Sequence, residues 1–211
     1  MNKICTQISE AILNGAVGET VSLVKEALNA DLSPKEILEE GLLAGMSEVG
    51  DLFKDGEMFV PEVLVSAKAM QAGMEIVRPL LIGTAGHSDE KKILTVTVEG
   101  DLHDIGVKLV GMMLEGAGFE VFNMGVDRSA REIIEKVKEY KPCILGMSAM
   151  LTTTMVKMKE VIDTAKEEGL LGDIKIMIGG APTSPNFANK IGAFYAANAS
   201  EAVETAKQLI K

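Results

Sequence analysis

The sequence predicts an α/β protein with an N-terminal four-helix bundle and a C-terminal five-stranded parallel sheet that has helices on both faces. Two patterns support this fold class. Up to about residue 85, apolar residues recur at helical spacing. Beyond it, short β-branched runs alternate with helical stretches, which is typical of a parallel sheet. The 211 residues are 47% hydrophobic and 25% charged, a composition that forms a core rather than a disordered chain.

Apolar steps of three and four residues define one buried stripe on each of two longer predicted helices. The stripes are Leu38, Leu42, Met46, Val49, Phe53 and Val63, Ala67, Met70, Met74, Val77, Leu81. Ser33 and Pro34 are typical of a helix start, since serine caps and proline suits the first turn. Shorter amphipathic stretches at Ile4–Leu13 and Gly18–Asn29 complete the predicted bundle.

A small, polar, turn-rich segment at 83–90 is predicted to be a linker, and His87 within it a solvated side chain. We therefore expect a helical domain at 1–85 and an α/β domain at 91–211. The predicted strands of the second domain are Lys92–Val98, Glu120–Met124, Ile144–Ser148, Ile174–Ile178 and a weaker Ala193–Ala196. The predicted helices are Ile105–Glu115, Ala130–Tyr140, Met155–Glu168 and Ala199–Ile210. Five such strands fit the flavodoxin-like order 2-1-3-4-5.

In this order the loops after the first, third and fourth strands meet at one edge, where ligands bind. Asp101 and His103 follow the first strand. A carboxylate can fix the tautomer of an imidazole, whose other nitrogen can then bind a metal held by a macrocycle. A capping aspartate beside a structural histidine is the alternative. Gly106 would let the next helix begin close to a ligand.

Hydroxyl groups and glycines follow the other two strands. Ser148 and the run Thr152–Thr154 can cap the next helix or line a polar slot. Gly179 and Gly180 permit close approach of a bulky group, or form a simple turn.

Composition excludes several classes of function. A net charge of −10 disfavours nucleic acid as a partner. Two cysteines, Cys5 and Cys143, and two histidines cannot build a cysteine cage or a three-histidine metal site. We expect both thiols to be buried or unreactive. Neither a membrane span nor a signal peptide is recognisable, so we expect a cytoplasmic protein.

The motifs together resemble the corrinoid-binding fingerprint. Asp101-x-His103-x-x-Gly106 is followed after 41 residues by Ser148-x-Met150 and, after 28 more, by Gly179-Gly180. Met150 replaces the usual leucine, and the stretch 192–198 departs from the usual Gly-Ala-Asp-Gly-Tyr-Ala. The N-terminal half is similar to the helical domain of methyltransferase corrinoid proteins, in Glu40-Gly41-Leu42, Met46–Gly50 and Phe59–Glu62.

The resemblance implies base-off cobalamin with His103 as lower axial ligand to cobalt and Asp101 holding His103. Either Ser148 or Thr154 would extend this relay. The implied cofactor-binding residues are Asp101, His103, Asp104, Ile105, Gly106, Ser148, Leu151, Thr152, Thr154, Gly179 and Gly180.

The resemblance also implies a methyl carrier that is not an enzyme on its own. Its partners would be a substrate-specific methyltransferase, a corrinoid-to-pterin or corrinoid-to-thiol methyltransferase, and a reductive activator. Methylamines, methoxylated aromatics, methanol and betaines all remain open as methyl donors. The main alternative is the cobalamin-binding subunit of an adenosylcobalamin-dependent mutase. A cobalamin-dependent regulator would need a DNA-binding element, and a phosphoacceptor receiver would need an aspartate where Met147-Ser148 stands.

Overall fold

The computed structural model describes residues 2–81 and 92–210. The chain divides into two compact units, one mainly of residues 1–87 and the other mainly of residues 88–211. The predicted linker, His87 and both predicted domain boundaries, at 85 and 91, lie outside the described residues.

The first unit is helical. Its elements are α1 (Lys3–Leu13), α2 (Val17–Asn29), α3 (Pro34–Glu36), a π-helical segment at Ile37–Leu43, α4 (Ala44–Lys54) and α5 (Val60–Leu81). The Ser33 hydroxyl oxygen accepts the Glu36 N–H at 3.1 Å, so the predicted helix start is confirmed. The α3 helix, the π-helical segment and α4 follow one another directly and form one continuous helical segment. Together with α1, α2 and α5 it makes the four successive helical segments that the sequence predicts.

The apolar stripes of these helices form the core of the first unit. Its fully buried side chains include Ile8, Ile12, Val24, Ile37, Leu42, Val49, Val63 and Val77.

The second unit contains one parallel sheet. Its strands are β1 (Lys92–Thr97), β2 (Glu120–Asn123), β3 (Ile144–Ser148), β4 (Lys175–Gly179) and β5 (Phe194–Tyr195), in the spatial order β2-β1-β3-β4-β5. The helices are α6 (Ile105–Gly116), α7 (Ala130–Tyr140), α8 (Thr152–Met155), α9 (Lys157–Glu167), α10 (Pro185–Ile191) and α11 (Ala199–Leu209). The predicted fold class and strand order are confirmed.

Two helical features differ from the sequence analysis. The helix predicted at 155–168 corresponds to α9, and a separate short helix, α8, precedes it, with Val156 between the two. Helix α10 was not predicted, although Ser184 accepts the Phe187 N–H as its cap and Pro185 occupies its first turn. That serine–proline pair is the same start signal as Ser33-Pro34, so the sequence did contain the information.

The two faces of the sheet differ in composition. Leu94, Val96 and Val98 of β1 pack with Leu145 and Met147 of β3 against α7, α9 and α10. Since side chains alternate along a strand, the intervening residues point to the opposite face. Ile93 and Ile144 begin this second face, and Thr95, Thr97, Gly146, Ser148, Met177 and Gly179 continue it toward the carboxyl ends of the strands. One face is therefore a continuous apolar core, and the other is lined mainly by small and hydroxyl side chains toward its carboxyl edge.

Candidate functional site at the carboxyl edge of the sheet

The ends of three neighbouring strands create the candidate site. Thr97 of β1 lies in register with Ser148 of β3, and Ser148 lies in register with Gly179 of β4. The loops that leave these strands therefore begin side by side, as the predicted strand order requires.

Asp101 is the centre of a hydrogen-bond network in these loops. Its side chain is fully buried. Oδ1 lies 2.6 Å from His103 Nδ1 and accepts the His103 backbone N–H at 3.1 Å. Oδ2 accepts the Met150 backbone N–H and the Thr154 hydroxyl, both at 2.7 Å. One carboxylate thus connects the first strand loop to the third.

These hydrogen bonds decide the protonation of Asp101. Burial by itself would raise the pKa of this carboxyl, but the donors from Met150, Thr154 and His103 outweigh it and hold the pKa well below its usual range. An ionised carboxylate only accepts hydrogen bonds, so Nδ1 of His103 must carry the shared proton. In the neutral imidazole, Nε2 then has a free lone pair for a metal.

The His103 side chain remains accessible although its anchor is buried, since 55% of its surface is exposed. Its backbone carbonyl accepts the hydroxyl of the buried Thr97 at 3.0 Å. Asp127 also holds the loop, because its Oδ1 accepts the Gly100 N–H at 2.7 Å and its own N–H donates to the Asp101 carbonyl. The sequence did not indicate a role for Asp127, because it lies in the loop after β2 without any motif around it.

Thr154, and not Ser148, contacts the Asp101 carboxylate. Thr154 is buried in α8, a short helix that begins after Leu151. Ser148 is half-buried at the end of β3 and lies beside Gly179. Thr152 is exposed. Of the two hydroxyl groups that could extend the relay to Asp101, Thr154 is therefore part of the carboxylate network, and Ser148 lies at the sheet edge.

Large apolar side chains are exposed in the same two loops that hold the imidazole and its anchor. Leu102 is 72% exposed and Ile105 is 66% exposed, and Met150 and Leu151 of the third strand loop are also exposed. Asp104 instead pairs with Lys108 on the exposed side of α6. A Cβ built on Gly106 meets no atom within 4 Å, so no packing requirement of the protein explains this glycine. An open apolar rim of this kind is typical of a ligand-binding surface.

The two glycines after β4 have different roles. Gly180 has a φ of +113°, and a Cβ there would lie 1.9 Å from the Ala149 carbonyl oxygen. Only glycine fits this backbone, so Gly180 is required by the turn itself. At Gly179, a Cβ would lie 3.0 Å from the Ala196 carbonyl oxygen, a tight contact on the same face as Ser148.

A buried hydroxyl lies deeper on this face. Thr95 is 1% exposed, and its Oγ1 has no hydrogen-bond partner among the described residues. Two glycines adjoin it. A Cβ on Gly111 of α6 would lie 3.9 Å from Thr95 Oγ1, and one on Gly146 of β3 would lie 3.5 Å from Thr95 Cγ2. Both are ordinary contact distances, so alanine would fit and the glycines leave space around the hydroxyl.

Within residues 2–81 and 92–210, no group of three or more His, Cys, Asp or Glu side chains could hold a metal ion. Among these residues His103 offers a single imidazole, and a macrocycle can supply the remaining ligands of a metal that such an imidazole binds. Of the two cysteines, Cys5 is buried and Cys143 is half-buried.

The comparisons with known proteins match both halves of the chain. Residues 91–207 match the B12 binding domain family, and residues 4–78 match a second family with the same description. The chain belongs to the B12-binding corrinoid proteins. Dimethylamine corrinoid protein 1 of Methanosarcina acetivorans is 44% identical over 95% of this chain and 98% of its own length.

Two solved structures resemble this corrinoid protein over nearly its whole length. The methanol:cobalamin methyltransferase complex MtaBC from Methanosarcina barkeri has a chain with a TM-score of 0.89 and 30% identity, covering 99% of this chain and 80% of that one. A cobalamin-binding protein from Desulfitobacterium hafniense has a TM-score of 0.78 and 33% identity, covering 98% of each chain.

These findings confirm the function predicted for the corrinoid protein, a methyl carrier subunit of a methyltransferase system. They do not favour the mutase alternative. No helix among the described residues has the length and apolar character needed to cross a membrane.

Proposed function

We propose that this protein binds cobalamin with its lower base detached and with His103 Nε2 as the lower axial ligand of cobalt. The observation that carries the proposal is the contact between the fully buried Asp101 carboxylate and Nδ1 of the exposed His103, 2.6 Å apart. An acceptor on one imidazole nitrogen fixes the tautomer and leaves the other nitrogen free to bind a metal. The residues present fit a corrin ring, because the loops that hold the imidazole and its anchor expose the large apolar side chains of Leu102, Ile105 and Leu151.

Cobalt in a corrin ring supplies the chemistry of accepting and releasing a methyl group. The chain's own residues would control the axial imidazole. Thr154 and the Met150 N–H stabilise the charge of Asp101, and Asp101 in turn orients His103. A proton added to the His103–Asp101 pair would favour release of the imidazole, because protonated Nε2 has no lone pair.

The other predicted residues would contact the remainder of the cofactor. Ile105 and Gly106 follow His103 at the start of α6, and Leu151 and Thr152 follow Met150 at the start of α8. These four residues would meet the ring and its substituents. Ser148 and Gly179 would line the entrance for the nucleotide tail on the threonine-rich face of the sheet. Asp104 pairs with Lys108, so we propose that it contacts the cofactor only at the ring's periphery.

Absorption spectroscopy tests the axial ligand. His103→Ala should remove the histidine-ligated spectrum of the bound cofactor. The matched control is His87→Ala, which changes the other histidine of the chain. A His103→Ala protein with the wild-type spectrum would overturn the assignment.

We also propose a methylamine as the methyl donor, with dimethylamine as the first candidate. The support is the 44% identity to a dimethylamine corrinoid protein, against 30% to the chain of the methanol complex. The carrier would act between a substrate-specific methyltransferase and a corrinoid-to-pterin or corrinoid-to-thiol methyltransferase, with a reductive activator, and would not be an enzyme on its own.

Transfer assays with purified methyltransferases test the donor. Dimethylamine and its methyltransferase should methylate the reduced cofactor on this protein faster than methanol and its methyltransferase do. A faster reaction with the methanol enzyme would overturn the choice of donor but leave the carrier function intact.

A further inference from the structure

The unpartnered hydroxyl of Thr95 is unusual for an interior position. A buried hydroxyl normally has a hydrogen-bond partner, because desolvating it without one costs free energy. Thr95 lies in register with Gly146 of β3 and Asn123 of β2. The row that precedes it on the same face is apolar, since Ile93 and its register partner Ile144 are fully buried. A valine of the same shape would suit such a site better unless something else meets the hydroxyl.

The space beside this hydroxyl is also unexplained by the protein alone. Gly111 is in the interior of α6, where glycine is less favourable than alanine. Its ideal Cβ would lie 3.7 Å from Val121 Cγ1 and 3.9 Å from Thr95 Oγ1, so alanine would fit there. Gly146 opens the same region from β3. Two positions at which alanine would also fit are therefore occupied by glycine, and both border the Thr95 hydroxyl, which has no partner among the described residues.

Thr95 lies directly below the entrance for the nucleotide tail. It precedes Thr97 by two residues on the same face of β1, about 7 Å deeper in the sheet. At the edge of the sheet, Thr97 lies in register with Ser148 and Gly179 of the neighbouring strands. One step deeper on the same face, Thr95 lies in register with Gly146 and Met177. If the flat base of the nucleotide tail enters between Ser148 and α6, the edge of the base that enters first would reach Thr95.

We propose that Thr95 is a specificity-determining residue whose hydroxyl hydrogen-bonds the leading edge of the lower base, so that the protein prefers a base with a polar substituent there. This inference rests on the proposed insertion of the nucleotide tail. The base is joined to ribose through its imidazole ring, so the benzo edge is the part that enters first. A hydroxyl on that edge can pair with Thr95, whereas methyl groups would leave Thr95 buried without a partner.

Binding measurements on the full-length protein test this preference. The probes are cobinamide, which has no nucleotide tail, and two cobamides whose lower bases are 5,6-dimethylbenzimidazole and 5-hydroxybenzimidazole. Wild-type protein should bind the hydroxyl-bearing cobamide about tenfold more tightly than the dimethyl one. Thr95→Val should reduce this ratio to one or invert it, and Thr95→Ser should preserve it. Cobinamide should bind equally to all three proteins.

The thermal stability of the free protein provides a second readout. Thr95→Val should melt at the same or a higher temperature than wild type, because the valine removes an unpaired buried hydroxyl. An equal preference in wild-type and Thr95→Val proteins would overturn the role of Thr95. Absence of binding of all three probes to wild-type protein would instead overturn the proposed cofactor site, so the two failures are distinguishable.

Discussion

The hydroxyl oxygen of Thr154 lies 2.7 Å from Oδ2 of Asp101. The two residues are 53 positions apart in the chain, and their contact is buried. Because Asp101 also contacts His103, a residue of the third strand loop helps to orient a side chain of the first. The orientation of the proposed metal ligand therefore depends on residues of two different strand loops.

Thr154→Val should destabilise the protein by about 1.5–3 kcal/mol, because it removes a hydrogen bond to a charged acceptor. It should also raise the pKa of Asp101 toward its usual value, since that hydrogen bond stabilises the ionised form. Urea denaturation measures the first effect. Thr154→Ser retains the hydroxyl and serves as the control, so equal losses in both variants would contradict the assignment.

Asp101→Asn should change how stability depends on pH. The folded-state pKa of Asp101 is lowered, so the unfolded chain binds its proton first as pH falls. The stabilisation is complete above the unfolded value of about 3.9 and is lost as pH falls through the folded value. Wild type should therefore exceed Asp101→Asn in unfolding free energy at neutral pH, by about 1–3 kcal/mol.

This difference should shrink as the pH is lowered below about 4. Parallel urea titrations of the two proteins over that range measure it directly. A difference that stays constant with pH would show that Asp101 is not held in its ionised form by the network.

Gly180→Ala should destabilise the protein by about 2–5 kcal/mol, because it combines a left-handed backbone with a severe overlap. The added Cβ would lie 1.9 Å from the Ala149 carbonyl oxygen. Gly172→Ala is the matched control, since a Cβ there meets no atom within 4 Å. Thermal melting should separate the two variants clearly, and a stable Gly180→Ala protein would contradict the described turn.

Gly106→Ala should affect ligand binding and spare the fold. Its Cβ meets no atom within 4 Å in the part of the chain that the structure describes, and alanine is a better helix former by up to about 1 kcal/mol. The free protein should therefore be at least as stable as wild type. Cobinamide should bind more weakly, because the added methyl group would take up space that we propose for the corrin ring. Unchanged cobinamide affinity would place the ring elsewhere.

The sequence indicated the elements because their signals are local. Helical spacing, β-branched runs and the Ser33-Pro34 start depend on neighbours in the chain, and they predicted the strand order correctly. The separate short helix α8, which ends before Val156, carried no such signal. The motif spacing likewise indicated the family, because three short motifs, the first containing Asp101 and His103, stand at the separations of the corrinoid-binding fingerprint.

What the chain determined alone was therefore the two-part architecture, the parallel sheet and the corrinoid-binding motifs. Tertiary structure decided which hydroxyl joins Asp101, because Thr154 and Ser148 are both close to the end of β3 and only the direction of α8 brings one to the carboxylate. It also decided that Asp127 holds the loop and that the Thr95 hydroxyl has no hydrogen-bond partner in the described part of the chain. Hydrogen bonds between distant residues depend on atomic positions, and spacing along a chain does not specify those positions.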